Sequence, residues 1–163
     1  MGIKLDVGGG RNPAPGFKVL DIEDRPGVDY VCPAWKTPLK DNSVSEINAR
    51  HFLEHLTLEE AKKTMVEWLR ILEPGAFATV TVPDILYHAR QLTMPGRSQF
   101  VPQSNFEHAM AGFYGWQKQG ETMGHRYGYT RTTLLELMTH HGFNTIAMPS
   151  RKCDIVVHAR KPK

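Results

Sequence analysis

Cysteine is scarce in this chain: there are two, Cys32 and Cys153, with no Cys-x-x-Cys spacing. That argues against a disulfide framework and fits free thiols in a reducing compartment. Long apolar runs are missing too. No segment approaches the roughly 20 apolar residues needed to span a bilayer, and Met1 leads within two residues into an apolar strand pattern, which leaves no signal peptide. A cytoplasmic protein with no membrane partner is the expectation. Strong charge imbalance is also absent. The formal charge is +3 over 163 residues, partly from Arg151, Lys152, Arg160, Lys161 and Lys163 near the C-terminus. Such a cluster, with no aromatics interleaved in a basic stripe, reads as a solvated strand edge and tail and disfavours nucleic acid as a partner. A hydrophobic share of 40% and a charged share of 23% suit one globular domain, residues 1–163, with little room for a second.

What is present begins with Leu5-Asp6-Val7-Gly8-Gly9-Gly10, followed by Val19-Leu20-Asp21-Ile22. An apolar strand running into glycines, then a second strand ending in a carboxylate, is how α/β sheets build a nucleotide-type pocket. Glycine lets the backbone approach a ligand, and Asp21 at the next strand tip is placed to accept from both hydroxyls of a ribose. Hydrophobic patterning predicts strands at 3–7, 17–22, 28–31, 44–49 and 77–82. Residues 57–72 read as a helix: Thr57 and Glu60 form a capping box, and Leu58, Ala61, Met65, Leu69 and Leu72 repeat on one face, before Glu73-Pro74-Gly75 ends it. Residues 130–141 read as a second helix stopped by Gly142, and 143–148 with 154–159 as a closing antiparallel hairpin.

The links between the early strands are too short for crossover helices, which need about 10–12 residues. Gly8 to Gly16 joins the first two strands and Glu23 to Gly27 the next. The expectation is an α/β fold with a reduced, Rossmann-like doubly wound sheet, its N-terminal half poorly covered on one face. A bare apolar face would call for a partner subunit, hence a homodimer.

Taken together, LDVGGGRNP (5–13), Pro15-Gly16-Phe17, VLDI (19–22), DNSV (41–44), Leu53-Glu54-His55, LEPG (72–75) and VTVPD (80–84) resemble the class I S-adenosylmethionine-dependent methyltransferases, in particular the short methyltransferase-type-11-like proteins. Gly128-Tyr129-Thr130 and Gly142-Phe143 resemble the family's closing helix. The resemblance implies S-adenosylmethionine as cofactor, with Asp6, Gly8 and Gly10 around its methionine half and Asp21 with Ile22 around its ribose. In the family a third-strand Asp holds the adenine amino group; the matching positions here are Pro33 and Ala34, so that carboxylate is missing. Trp35 either stacks on the adenine instead or simply packs. Arg50 and His51 should face the methionine carboxylate or the methyl group.

Three further readings concern chemistry. His51-Phe52-Leu53-Glu54-His55 also spells His-x-x-Glu-His, which on a helix can hold zinc with a Glu as general base and would make a zinc hydrolase. The segment is too short before Thr57 and has no evident third ligand, so no metal site is assigned. The stretch between Asp84 and Thr130, about 85–129, has no strand pattern, carries aromatic groups at Phe113-Tyr114-Trp116 and Tyr127-Tyr129, and reads as a lid or substrate insertion. Within it His108, flanked by Phe106 and Met110, reads as part of a short helix packing on the sheet, and His125-Arg126-Tyr127 resembles the family's His-Lys lid pair. Methyl transfer needs in-line alignment and exclusion of water, and a hydroxyl acceptor needs its proton removed. His125 is the first choice of base and His51 the second. The resemblance tilts the acceptor toward a small hydroxylated or sugar-like molecule; there is no Asp/Asn-Pro-Pro-Tyr tetrad for adenine-N6 methylation. The alternative is a non-catalytic accessory subunit that binds the cofactor without turnover.

Overall fold

The computed structural model describes residues 2–10, 12–116, 124–149 and 153–163. Arg11 of the glycine motif and Arg151 and Lys152 of the basic cluster lie outside them. Five strands, β1 (Ile3–Val7), β2 (Lys18–Asp21), β3 (Tyr30–Val31), β4 (Val44–Arg50) and β5 (Leu72–Pro83), run parallel, and β6 (Asn144–Ala147) and β7 (Asp154–Arg160) close the sheet as an antiparallel hairpin. The spatial order is β3-β2-β1-β4-β5-β7-β6. The order reverses between β1 and β4, which places the ligand crevice at the carboxyl ends of those strands.

Among the described residues the α-helices are α1 (Leu58–Ile71), α2 (Ile85–Gln91), α3 (Asn105–Tyr114) and α4 (Arg131–His140). Helix α1 starts where the capping box predicts, with the Glu60 N–H donating to the Thr57 hydroxyl and the Thr57 N–H to the Glu60 carboxylate. Its buried stripe is Ala61, Thr64, Met65, Trp68 and Ile71, whereas Leu58 and Leu69, placed on that face by periodicity, are only partly buried. Thr64 can take a buried position because its hydroxyl donates back to the Glu60 carbonyl at 2.8 Å. Strand β5 begins five residues earlier than expected. Leu72 already pairs with Val44, and the irregular register between Val44 and Glu46 absorbs Glu73-Pro74-Gly75 as a bulged strand rather than a turn. Within the insertion after Asp84, α2 and α3 pack on each other, so the segment holding Phe106, His108 and Met110 is helical but leans on α2.

As expected, no helix occupies the β1–β2 or β2–β3 link among the described residues. Leu5, Val7, Ile47, Ala49, Ala78, Val80, Ile155 and Val157, on one face, are essentially fully buried. The opposite face carries, strand by strand in register, Asp6, Asn48, Thr79 and His158, with Lys4 paired to Glu46 at 2.8 Å one row below. Val19, Phe77, Val156 and Ile146 stand on the same face, so it is mixed, polar along its centre and apolar in part, rather than the bare apolar face on which a homodimer was expected.

Candidate functional site

Three adjoining cavities open at the carboxyl ends of the strands. The first, about 400 Å³, is lined by Gly8 and Gly10 after β1, Asp21 and Ile22 at the end of β2, Ala34 and Trp35 after β3, and His51 and His55 after β4. That volume is in the range of small-molecule sites. A second, also about 400 Å³, lies beyond it between His51, His55, the α2–α3 pair and His125. The third, about 660 Å³, holds Asp6, Asn48 and Arg50 with the glycine turn. His51 lines all three.

The glycine turn is built for close approach. Gly8 has φ +66, and a Cβ there would stand 2.6 Å from the Phe52 ring, so only glycine fits. Asp6, 2% exposed, braces the loop: its carboxylate accepts from the Ala14 N–H at 2.6 Å and from the Asn48 amide at 2.7 Å. Asp21 is engaged by a residue that sequence reasoning missed. Arg25 pairs with the Asp21 carboxylate and donates to the Gly10 carbonyl at 2.5 Å, reaching across the mouth of the first cavity. The i,i+4 spacing of Asp21 and Arg25 was the available signal, masked because the intervening residues form no helix. Pro33 leaves the adenine end without a carboxylate, and Ala34 is 3% exposed beside the half-buried Trp35.

His51 sits in the left-handed region, φ +51, a conformation that costs a non-glycine residue on the order of 1 kcal/mol. Its ring lies between two carboxylates, Glu54 at 3.2 Å and Asp154 at 3.6 Å. Hydrogen bonds to Asp154 and then Glu54 push its pKa up to about 10. That favours the imidazolium form at neutral pH, a form with no lone pair to act as the second-choice base. In the His-x-x-Glu-His segment, Leu53–His55 is one 3₁₀ turn, not an α-helix presenting both imidazoles. The hydrolase arrangement needs a full helical turn between the two histidines.

His125 has the opposite character. Burial pushes its pKa down, and its Nδ1–H donates to the Gly112 carbonyl at 2.9 Å. Neutral, with Nδ1 as donor, it keeps the Nε2 lone pair as a base. Its segment is pinned to the 3₁₀ turn: the Arg126 and Tyr127 N–H groups both donate to the Glu54 carbonyl, and Arg126 pairs with Glu60 at 2.9 Å. The His55 and His125 rings meet edge to face, 5.1 Å between centroids. Glu54, 1% exposed, has one carboxylate oxygen without a hydrogen-bond partner, and an atom each of Glu54, His55 and His125 lie within 4.8 Å of one another. A second trio, His88, His108 and Cys153, meets the same condition on the far side of the second cavity.

The sheet order with its antiparallel seventh strand, the glycine turn and the carboxylate-tipped second strand define the fold of the class I S-adenosylmethionine-dependent methyltransferases. Solved structures agree. An S-adenosylmethionine-dependent methyltransferase from Methanosarcina mazei superposes with a TM-score of 0.59 at 16% identity, over 98% of this chain and 92% of that one. One from Aquifex aeolicus gives 0.58 at 16% identity, over 98% and 81%. Human N-acetylserotonin methyltransferase in complex with S-adenosylmethionine gives 0.61 at 15% identity over 99% of this chain but 48% of that one. No family model matches the chain, and no curated protein matches it.

Proposed function

We propose that this protein transfers a methyl group from S-adenosylmethionine to a small hydroxylated or sugar-like acceptor. The observation that carries the reading is the position of His51 at the junction of three cavities. The first suits the adenosine, with Asp21 at its ribose, Ile22 beside it and Ala34 with Trp35 at its base. The third, with Asp6 and Arg50, suits the methionine end, Arg50 supplying a cation for its carboxylate. The second suits an acceptor. Bound this way, S-adenosylmethionine would supply an electrophilic methyl group on a sulfonium.

The chain's own residues then divide the remaining work. Gly8 and Gly10 let the backbone close on the ligand, and Leu56 and Phe52 help shield the first cavity from water. His125 Nε2 takes the acceptor's hydroxyl proton as attack proceeds. His51, already protonated, holds the Glu54 and Asp154 carboxylates on either side of the junction. A reducing, cytoplasmic setting belongs to the same proposal.

The test is calorimetric titration of the protein with S-adenosylmethionine and S-adenosylhomocysteine, repeated on Asp21→Ala, followed by acceptor screening. Binding that is lost in the variant, and methylated product with a hydroxylated acceptor, are expected; no binding to either ligand would overturn the reading. The absence of a carboxylate at Pro33 favours one second reading, a non-catalytic accessory subunit. Binding without turnover on any acceptor would select it.

A further inference from the structure

The helical pair after β5 carries a chemistry that methyl transfer leaves unused. His88 and Gln91 lie on α2, His108 and Asn105 on α3, and Cys153 just before β7. All four residues of the helices are buried, between 0% and 6% exposed. Buried polar groups of this kind need partners, and their hydrogen bonds can be followed one by one.

The Pro95 carbonyl can only accept, so it takes a proton from the Asn105 amide nitrogen at 3.0 Å. The Asn105 oxygen therefore faces Gln91 and accepts from its amide nitrogen at 3.0 Å. That turns the Gln91 oxygen to His88, 3.2 Å from Nδ1, so Nδ1 carries the proton. His88 Nε2 is left as a bare lone pair. The Gln91 amide also donates to His108 Nδ1 at 3.0 Å, so His108 holds its proton on Nε2, which points at Cys153 Sγ, 3.8 Å away. Sγ in turn faces Asp154 Oδ1 at 3.9 Å. The ligand atoms of His88, His108 and Cys153 lie within 4.8 Å of one another.

The packing protects this arrangement. Gly112, inside α3, sits where a Cβ would come within 2.3 Å of two atoms of the His88 ring. Glycine in a helix interior is destabilising by about 1 kcal/mol relative to alanine, and here it is what lets the imidazole lie against the helix backbone.

We propose that His88 Nε2, His108 Nε2 and the Cys153 thiolate form a zinc(II) site in the wall of the second cavity. Two imidazoles and one thiolate are a donor set for a borderline-soft ion, and three protein ligands leave a fourth position open to the cavity. Gln91 and Ser98 orient the ring nitrogens from behind, as outer-shell partners do in metal sites. On binding, two Zn–N bonds and one Zn–S bond form. The Cys153 S–H bond breaks and its proton passes to the buffer. The His108 proton moves from Nε2 to Nδ1, where it donates to the Ser98 hydroxyl oxygen, 2.7 Å away; the Gln91 amide gives up its bond to Nδ1 and holds the site through its oxygen on His88. One proton is released per zinc. The Glu54–His55–His125 trio is the rival position, and it is the weaker one because the Glu54 charge is already countered by the His51 imidazolium.

The experiment uses the whole chain stripped of metal with a chelator. Zinc titrated in buffers of different ionisation enthalpy should bind at one per chain with one proton released. Cobalt(II) in its place should give an intense thiolate-to-metal charge-transfer band in the near ultraviolet, absent in Cys153→Ser. Gln91→Leu should weaken zinc binding about 10- to 100-fold. No stoichiometric zinc, a cobalt complex without the band, or zinc binding untouched in Cys153→Ser and lost in His55→Ala would each overturn the proposal. The cobalt spectrum and proton count of the unaltered protein decide the matter even if a variant fails to fold.

Discussion

Among single residues, His51 and His125 show how the same side chain is driven to opposite states a short distance apart. Two carboxylates push one pKa up, whereas burial pushes the other down against the opposing pull of the Gly112 carbonyl, which fixes the proton on Nδ1. His125→Ala should lower kcat about 10²- to 10⁴-fold with the true acceptor while cofactor affinity holds; steady-state kinetics beside calorimetry would show the split, and full turnover would remove His125 from the base role. Gly112→Ala tests a different residue-scale claim. The gain in helix propensity is about 1 kcal/mol, but overpacking against a buried ring costs about 1–3 kcal/mol, and at 2.3 Å the neighbour is a ring held by Gln91 rather than a free chain end. A net loss of stability in urea is expected. Sequence order made Gly8 and Asp21 legible because their spacing is local. It hid Arg25 behind a loop, and it hid His88, His108 and Cys153 because only the tertiary fold brings them together.

At the level of elements, the links that lack helices are held by side chains instead. Glu67 on α1 accepts from the Thr37 N–H at 2.8 Å and hydroxyl at 2.7 Å, and from Arg70 at 2.7 and 2.8 Å; Arg70 reaches on to Asp41 and the Leu39 carbonyl. The β3–β4 link is thereby stapled to the helix. Arg70 and Thr37 hold the Glu67 carboxyl down to about 2. Its folded pKa lies below the unfolded value of about 4.3, so it contributes stability that is present above that value and lost as pH falls through about 2. Thermal unfolding followed from neutral pH into acid should show that loss, and Glu67→Gln should be destabilised at neutral pH and flatter in this window; parallel curves would refute the staple. The strands and α1 were readable from periodicity and capping, since both are local rules. The early start of β5 was not, because Leu72 is held in the sheet by Val44, a residue far away in sequence, against the turn preference of Pro74-Gly75. Helix α2 was missed, and α3 was read only as a short helix around His108, for a related reason: they are short and stabilised by each other.

For the whole molecule, a sheet with helices on one face would be expected to associate if its other face were greasy. Here Lys4, Glu46, Asp6, Asn48, Thr79 and His158 share that face with Val19, Phe77, Val156 and Ile146. With charged and amide groups along its centre, light scattering at micromolar concentration is expected to return the mass of one chain, and a stable dimer would show that the apolar share of the face suffices. The guanidinium of Arg25, lying on the Asp21 carboxylate, gives the molecule one further property. On the proposed function, in which Asp21 receives the ribose, it would behave as a tethered competitor seated on that carboxylate. The measured dissociation constant is then the intrinsic one divided by the fraction of molecules in which Arg25 has swung aside. Arg25→Met, which keeps the aliphatic bulk and removes the charge, should tighten cofactor binding rather than weaken it, so that for this one pocket residue deletion reads as a gain.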